Sequence, residues 1–376
     1  MKNDAVKREF SLLKAIIKNN IVFFAAFTAA VITMFIVPPD GEYVGYFDFK
    51  TLSCLFCTLA VVNALKDIGF FGFLAQKIIA RAGNLRLAVL LLIYITFIGS
   101  MFIANDMALL TFLPLGYYVL TSSGEEKHMA YVFILQTIAA NLGGMLTPFG
   151  NPQNLYLYSK FNIPDDEFVS VMALPFAVSI TLVTICCLFF PGRKISVGAG
   201  NATAPPTGRT SFYLVLFVLT VVMVFRILPY YVILPIVFVA ILLTDRKALL
   251  KVDYFLLLTF AAFFVFSGNM ARIPAVSSFF SSLLEKNTLL TSVLSCQVIS
   301  NVPSAVLLSQ FTENYRELLV GVNIGGTGTL IASLASLITF RVYVGHNKGK
   351  GGRYVLLYSL FSFCFLAVLI VVCSIW

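Results

Sequence analysis

The apolar tract from Leu87 to Leu120 carries the pair Asn105-Asp106 near its middle, and Asp106 is its one charged residue. The whole chain shares this character, because 59% of its 376 residues are hydrophobic and 11% are charged. Soluble proteins carry about 45–50% apolar and about 25% charged residues. The sequence therefore predicts a polytopic membrane protein, in which an Asn-Asp pair at membrane depth needs a physical reason.

The distribution of positive charge predicts the topology. Apolar runs at about 21–37, 48–65, 129–158, 168–190, 211–225, 231–243, 253–270, 318–340 and 354–375 are read as spans. With a cytoplasmic N-terminus, 20 of the 26 Lys and Arg residues fall on the cytoplasmic side, as the positive-inside rule requires. This count holds if the tracts 87–120 and 288–311 each enter and leave on the same side. Both are therefore predicted to be re-entrant hairpins.

Three further features complete this topology. The first apolar run, which follows a basic start, is predicted to be a retained first helix, and residues 10–18 are predicted to lie on the membrane surface. The polar stretch 191–209 is predicted to be a flexible linker. The net charge of +9 follows from this topology and needs no nucleic-acid partner. The expected location is the bacterial inner membrane, with the lipid bilayer as the chief partner.

The two halves of the chain carry matching motifs in the same order. Each half opens with an Asp before an apolar run, continues with a hairpin tract bearing Asn at its tip, and ends with a Gly-broken run. The matched pairs are Asp48 and Asp253, Asn105 and Asn301, Asn141 and Asn323, Gly143 and Gly325, Thr147 and Thr329, Asn151 and Ser333, and Asn154 and Ser336. In the predicted topology the two halves start on opposite sides of the membrane. The pattern therefore predicts an inverted-topology repeat, which is a signature of transporters.

The predicted fold class is an all-α polytopic membrane protein with two re-entrant hairpins and two broken helices. Its first repeat has a hairpin tip at 105–106 and a break at 147–154, and its second has a tip at 301–303 and a break at 325–336. The predicted segments are a tail with the first helix (1–47), the first repeat (48–167), connecting scaffold helices (168–252), the inverted second repeat (253–345) and a last helix (346–376).

The tips and breaks supply the candidate binding residues. Backbone that leaves the helix inside a membrane is buried in protein or lines a wet cavity, where free amides face anions and free carbonyls hold cations. Asn offers both a donor and an acceptor, and Gly permits unwinding. The predicted site residues are Asn105, Asp106, Asn141, Gly143, Thr147, Asn151, Asn154, Ser300, Asn301, Ser304, Asn323, Gly325, Thr327, Thr329 and Ser333.

Asp106 is the most informative of these residues. A charge at the bilayer centre costs roughly 2.5–3.5 kcal/mol on insertion scales, so it persists where it binds a cation, takes up a proton or meets a positive partner. The basic candidates Lys66 and Arg272 lie at segment ends, which favours a cation or a proton. A sodium site is predicted at Asn105, Asp106 and Asn301, with sodium or a proton as the coupling ion and no other cofactor.

Structural explanations remain open beside the functional ones. The pair Asn105-Asp106 is also expected of a helix cap at a kink, in which backbone amides satisfy Asp106. The sequence GNPQN at 150–154 is also expected of an ordinary surface turn. The small residues around Gly325 are typical of close helix packing, and for Ser333 packing and ligand binding are nearly equal alternatives.

The motifs NDMALLTFLPL, LTPFGNPQN, QVISNVPSAVLL and NIGGTGTLIASLASL resemble those of the ion transporter superfamily. This group holds citrate transporters, divalent anion/sodium symporters, arsenite permeases and sodium/proton antiporters. The resemblance covers about residues 48–345 and implies elevator-type movement of a transport domain against a scaffold, often in a homodimer. In the sodium-coupled members each tip reads Ser-Asn-Thr, whereas Asp106 and Val302 stand at the Thr positions here. A negatively charged Asp106 beside the site disfavours a dicarboxylate as the substrate. The pair Asn105-Asp106 is similar to the first tip of arsenite permeases.

The sequence thus predicts a secondary active transporter for a small carboxylate or oxyanion, coupled to sodium or protons. The first alternative is an arsenite-type export permease or a sodium/proton antiporter with Asp106 as the carrier. A channel or an intramembrane enzyme is a different class, and the chain has no His at membrane depth and no paired carboxylates within one span to support an enzyme.

Overall fold

The computed structural model describes residue 17, residues 20–195 and residues 203–375. The basic tail lies outside these residues, as do the predicted surface segment 10–18 apart from Ile17 and the middle of the predicted linker. Seven helices in the described part of the chain are long and apolar enough to cross a membrane. The prediction of an all-α polytopic membrane protein is therefore confirmed.

The helices before the first hairpin are α1 (Ile21–Ile36), α2 (Phe49–Asp67) and α3 (Phe70–Ile79). The hairpin and broken helix that follow are α4 (Leu85–Ile103), α5 (Asn105–Ser122), α6 (Met129–Gly143) and α7 (Pro152–Lys160). The connecting helices are α8 (Asp165–Leu188), α9 (Thr207–Val224), α10 (Tyr230–Thr244) and α11 (Arg246–Leu250).

The second half repeats this order. It contains α12 (Tyr254–Ala271), α13 (Pro274–Lys286), α14 (Thr288–Ile299), α15 (Asn301–Leu308), α16 (Tyr315–Ile324) and α17 (Leu334–His346), and α18 (Gly351–Ile375) ends the chain. The predicted spans agree with these helices, with ends shifted by a few residues.

The first helices of the two repeats, α2 and α12, begin in the same way and run antiparallel. The carboxylates of Asp48 and Asp253 each accept a hydrogen bond from the amide three residues later, which caps the helix N-terminus. Lys251, just before α12, forms a 2.6 Å salt bridge with Asp67 at the end of α2. The start of one helix thus lies beside the end of the other, as an inverted repeat requires.

A short helix joins each first helix to its hairpin, which the sequence analysis did not predict. Residues 66–86 lie between the predicted spans and form a basic segment in the sequence, but Gly69 adopts a left-handed conformation (φ 76°) that ends α2 and allows α3 to start in a new direction. In the second repeat Pro274 stands at the first turn of α13, where its missing N–H costs nothing. Both helices are amphipathic, and neither forms the long apolar run by which a span is recognised in a sequence.

Each hairpin turns at a single residue with positive φ. Ala104 separates α4 from α5 (φ 59°, ψ 152°), and Ser300 separates α14 from α15 (φ 75°, ψ 160°). This region of backbone conformation is nearly restricted to glycine and costs of order 1–3 kcal/mol for other residues. The chain therefore reverses within one residue, and the next residue, Asn105 or Asn301, begins a new helix.

The remaining helices enclose this core. Helices α9 and α10 pack on α2, while α18 packs on α8 and α6. Helix α1 packs on α12 through Ala26 and Ala30, and the Asn269 side chain of α12 donates a 3.1 Å hydrogen bond to Thr33. At the end of this contact the Arg272 guanidinium bonds the Asp40 carboxylate and holds the pKa of Asp40 below its usual range.

Replacing Ala104 by Gly is expected to raise the thermal unfolding midpoint, because relief of positive-φ strain of order 1–3 kcal/mol exceeds the entropic cost of about 0.5–1 kcal/mol for Gly. The control is Ala108→Gly within α5, which gains no relief and should lower the midpoint. Both are measured by circular dichroism in one detergent. Equal destabilisation by the two variants would show that the turn at Ala104 is unstrained.

Candidate functional site

The two hairpin tips place equivalent Asn side chains in the buried centre of the protein. Asn105 and Asn301 are 4% and 3% exposed, and each Oδ1 accepts a hydrogen bond from the following amide at 3.0 and 2.9 Å. Asn105 Nδ2 also donates to Asn141 Oδ1 at 3.1 Å, and the Asn301 amide donates to the Ala332 carbonyl at 2.9 Å. Each tip is therefore attached to a broken helix.

Two of the hydrogen bonds that cross between the broken helices form an equivalent pair. Ser333, at the start of α17, donates its hydroxyl to Asn141 Oδ1 of α6 at 2.8 Å. Asn151, just before α7, donates its amide to Asn323 Oδ1 of α16 at 3.3 Å. The sequence alignment pairs Asn141 with Asn323 and Asn151 with Ser333, so these two bonds are equivalent under the repeat. The broken helix of each repeat is thus hydrogen-bonded to the broken helix of the other repeat.

A third equivalent pair ties each break to its own hairpin. Thr147 donates its hydroxyl to the Met101 carbonyl at 2.7 Å, and Thr329 donates to the Gln297 carbonyl at 3.1 Å. Met101 and Gln297 each lie four residues before the tip Asn. The hydroxyls of these threonines therefore position the hairpins, and a ligand role for Thr147 and Thr329 stays a prediction.

Gln297 was missed by the sequence analysis. Its Nε2 contacts the carbonyls of Gly325 and Thr327 at 2.9 and 3.1 Å, and its Oε1 accepts from the Thr329 amide at 2.8 Å. One side chain thus satisfies three backbone groups that the unwound segment frees. Its signal in the sequence is a Gln one helical turn before the tip Asn.

Several predicted site residues use their polar atoms within the framework. Asn154 Nδ2 contacts the carbonyls of Gly144, Met145 and Thr147 at 3.1–3.3 Å, and Asn154 Oδ1 accepts from Asn323 at 2.6 Å. The other framework contacts are those of Ser304 with the Ser300 carbonyl, Thr327 with the Ile324 carbonyl, and Ser300 with the Ala332 carbonyl.

The glycines of the breaks allow close backbone contact. A Cβ atom added to Gly143 would lie 2.1 Å from the Phe97 carbonyl oxygen of α4. A Cβ on Gly325 would lie 2.6 Å from the Gly321 carbonyl and 3.0 Å from the Cys296 side chain of α14. Close packing, the alternative considered for Gly325, accounts for both positions.

Two cavities meet at the first hairpin tip. The first, of about 370 Å³, is lined by Asn105, Asp106 and the polar residues Asn63, Lys66, Lys251 and Asp253. The second, of about 690 Å³, is lined mainly by apolar side chains together with Asn105, Asp106, Gln153, Ser300, Asn301 and Ser333. The predicted sodium residues Asn105, Asp106 and Asn301 therefore share the second cavity, and the first two also face the first cavity.

Among the residues that line the two cavities, three have a buried oxygen that forms no hydrogen bond within the described structure: Thr58 Oγ1, Asp106 Oδ1 and Gln153 Oε1. Asn151 Oδ1 also accepts none. If Asp106 capped a helix, its carboxylate would accept a hydrogen bond from a backbone amide, and Asp106 Oδ1 accepts none. The side chains of Asn151, Gln153 and Asn154 are at most 1% exposed, so GNPQN is not a surface turn. Buried acceptors without donors are costly, and a bound cation or an ammonium group would satisfy them.

Polar hairpin tips enclosed by broken helices in a polytopic helical protein form the architecture of a membrane transporter. The chain belongs to the citrate transporter family (CitMHS), whose family model matches residues 12–315.

The relatives extend this assignment over most of the chain. An uncharacterized transporter of Methanocaldococcus jannaschii is 34% identical over 86% of this chain and 88% of its own length. The inner membrane protein YbiR of Escherichia coli is 29% identical over 78% of this chain and 80% of its own length. The silicon efflux transporter LSI3 of Oryza sativa is 26% identical over 47% of this chain and 36% of its own length.

Gly143→Ala is expected to destabilise the protein by about 1–3 kcal/mol, because the added methyl group must displace the backbone of α4. Gly83→Ala is the matched control, since nothing lies within 4 Å of its added Cβ. Thermal unfolding in detergent compares the two variants with the wild type. A Gly143→Ala midpoint equal to that of Gly83→Ala would mean that α4 and α6 do not pack this closely.

Proposed function

We propose that the protein is a secondary active transporter that moves a small carboxylate or oxyanion bound between the hairpin tips, coupled to sodium or protons. The observation that carries the proposal is the pair of acceptor oxygens without donors, Asp106 Oδ1 and Gln153 Oε1, on residues that line one cavity together with the N-termini of α5 and α15. The oxygens favour a cation, and helix N-termini favour an anion.

The same geometry supplies a reason for coupling. An anion at the tips and an ionised Asp106 repel each other in a site of low dielectric constant. A sodium ion on Asn105, Asp106 and Asn301, or a proton on Asp106, removes that repulsion. Anion binding then requires the coupling ion, and neither moves alone.

Elevator-type movement is supported by the placement of cavities along one boundary. The cavity of about 370 Å³ lies where the end of α2 and the start of α12 meet α7. A third cavity, of about 400 Å³, lies at the opposite ends of the same helices and is lined by Asp48, Lys50, Tyr156, Lys160 and Gly268. We infer that α2 and α12 belong to the scaffold, and that hairpins and broken helices move along it to face each cavity in turn.

Orientation and assembly are part of this proposal. With the N-terminus in the cytoplasm, Lys66 and the 370 Å³ cavity face the cytoplasm, so the described conformation is open inward. The bacterial inner membrane is the proposed location, and a homodimer is the proposed assembly by resemblance to the superfamily.

The second candidate is an arsenite-type export permease or a sodium/proton antiporter in which Asp106 carries the ion. The specific observation in its favour is a carboxylate that lines a cavity together with Asp253, Lys66 and Lys251. Asp253 caps α12 and Lys251 pairs with Asp67, so Lys66 is the cation of this cavity without a salt bridge in the described residues. Proton exchange at Asp106 then depends on how closely Lys66 approaches.

Thermal unfolding in sodium, potassium and choline, at several pH values, tests the coupling ion. Sodium at 100 times its dissociation constant should stabilise the wild type by about 2.7 kcal/mol, and Asp106→Asn should lose most of that effect. Asp166→Asn is the control, because Asp166 is exposed in the first turn of α8, away from both cavities.

The two candidates give different patterns. Sodium-specific stabilisation that disappears in Asp106→Asn supports the symporter, and uptake of labelled carboxylates and oxyanions into sodium-loaded and sodium-free liposomes then identifies the anion. A pH dependence that disappears in the variant, with no sodium effect, supports the proton-linked candidate. Equal responses of Asp106→Asn and the wild type to every cation and pH would falsify both.

A further inference from the structure

The apolar cavity of about 690 Å³ is not explained by a small hydrophilic substrate. It lies between α1, α12 and the second hairpin, and its apolar lining includes Ala25, Ala29, Phe263, Val298 and Ile331. Toward the bilayer it is open, since Val298 is 73% and Ile331 is 56% exposed. Ligand sites with volumes of about 300–1,000 Å³ usually hold compounds larger than a carboxylate or an oxyanion.

The small residues of α1 leave this space unfilled. Ala26 and Ala30 are buried against α12, and Ala25, Ala26 and Ala29 line the cavity. The hydrogen bond from Asn269 to Thr33 and the ion pair of Asp40 with Arg272 hold α1 in place on α12. The groove between α1 and the second hairpin is therefore bounded by a fixed helix.

The buried end of the cavity has a defined chemistry. Asp106 and Gln153 line it, their Oδ1 and Oε1 oxygens accept no hydrogen bond within the described structure, and Gln153 is 1% exposed. Both atoms are acceptors, and Asp106 is the one ionisable group among the residues that line this cavity. The complementary ligand has a cationic donor at one end and hydrocarbon at the other.

We propose that this cavity binds lipophilic ammonium ions, with the charged nitrogen donating to Asp106 and Gln153 and the hydrocarbon part lying between α1 and the second hairpin. A bound amine occupies Asp106 and therefore competes with the coupling cation. It also fills the space beside the second hairpin tip and holds that tip against α1. Lipophilic amines are thus expected to inhibit transport, whichever anion is carried.

The test uses full-length protein in nanodiscs of phosphatidylcholine with octylamine, octanoate and octanol as probes. Octylamine is expected to raise the unfolding midpoint, whereas octanoate and octanol, of equal chain length, should not. Asp106→Asn should weaken the apparent affinity for octylamine at least tenfold, because the charge complement is lost.

Variants of α1 separate this site from the ion site. Ala29→Phe fills the groove and should abolish the octylamine response while leaving any response to sodium unchanged. Thr28→Phe adds the same ring at an exposed position that does not line the cavity and should keep both responses. Loss of the octylamine response in Thr28→Phe as well would mean that the effect arises from the membrane and not from the groove.

Equal stabilisation by all three probes would overturn the proposal, since it would show a groove that accepts any lipid chain. So would the absence of an octylamine effect. If octylamine binds but sodium and pH have no effect through Asp106, the amine site stands and the proposed coupling is wrong. If sodium stabilises and octylamine does not, the coupling stands and the amine site is wrong.

Discussion

The structure depends on satisfying backbone polar groups where helices end inside the membrane. Two tips and two breaks free these groups at a depth where each unpaired one costs several kcal/mol. The chain satisfies them with amide side chains. Asn154 donates hydrogen bonds to carbonyls of the first break, and Gln297 donates to carbonyls of the second. The crossing bonds of Asn141 with Ser333 and of Asn151 with Asn323 then make each break depend on the other repeat. The site therefore forms only when both repeats are folded together.

The sequence was sufficient to predict this framework, because an apolar chain leaves few places for polar residues. Asn141, Asn151, Asn323 and Ser333 were selected by their repeated spacing, and the structure joins them in hydrogen bonds. The sequence could not assign their roles. Whether a Thr such as Thr147 faces a ligand or the Met101 carbonyl depends on how two helices pack, and spacing within one segment does not contain that information.

The misses have similar physical causes. Helix α3 was hidden within a basic segment, because an amphipathic helix at a membrane surface lacks the long apolar run by which spans are recognised. Gln297 was missed because the alignment matched tips and breaks, whereas Gln297 lies one turn before the tip and its equivalent is Met101. The cavity beside α1 arises from the placement of a helix outside the repeats, which no internal comparison could reveal.

The departures from symmetry point to the function more directly than the symmetry does. Asn105 and Asn301 are equivalent, but the next residues are Asp106 and Val302, so one tip carries a charge and the other does not. A symmetric pair of neutral tips could bind one anion between two helix N-termini without help from a cation. In the proposed mechanism an ionised Asp106 repels that anion, and Asp106 Oδ1 and Gln153 Oε1, which accept no hydrogen bond within the described structure, favour a cation instead. Under the proposed function, Asp106, the charge that is costly to bury, is thus the residue that makes binding of the anion conditional on a second ion.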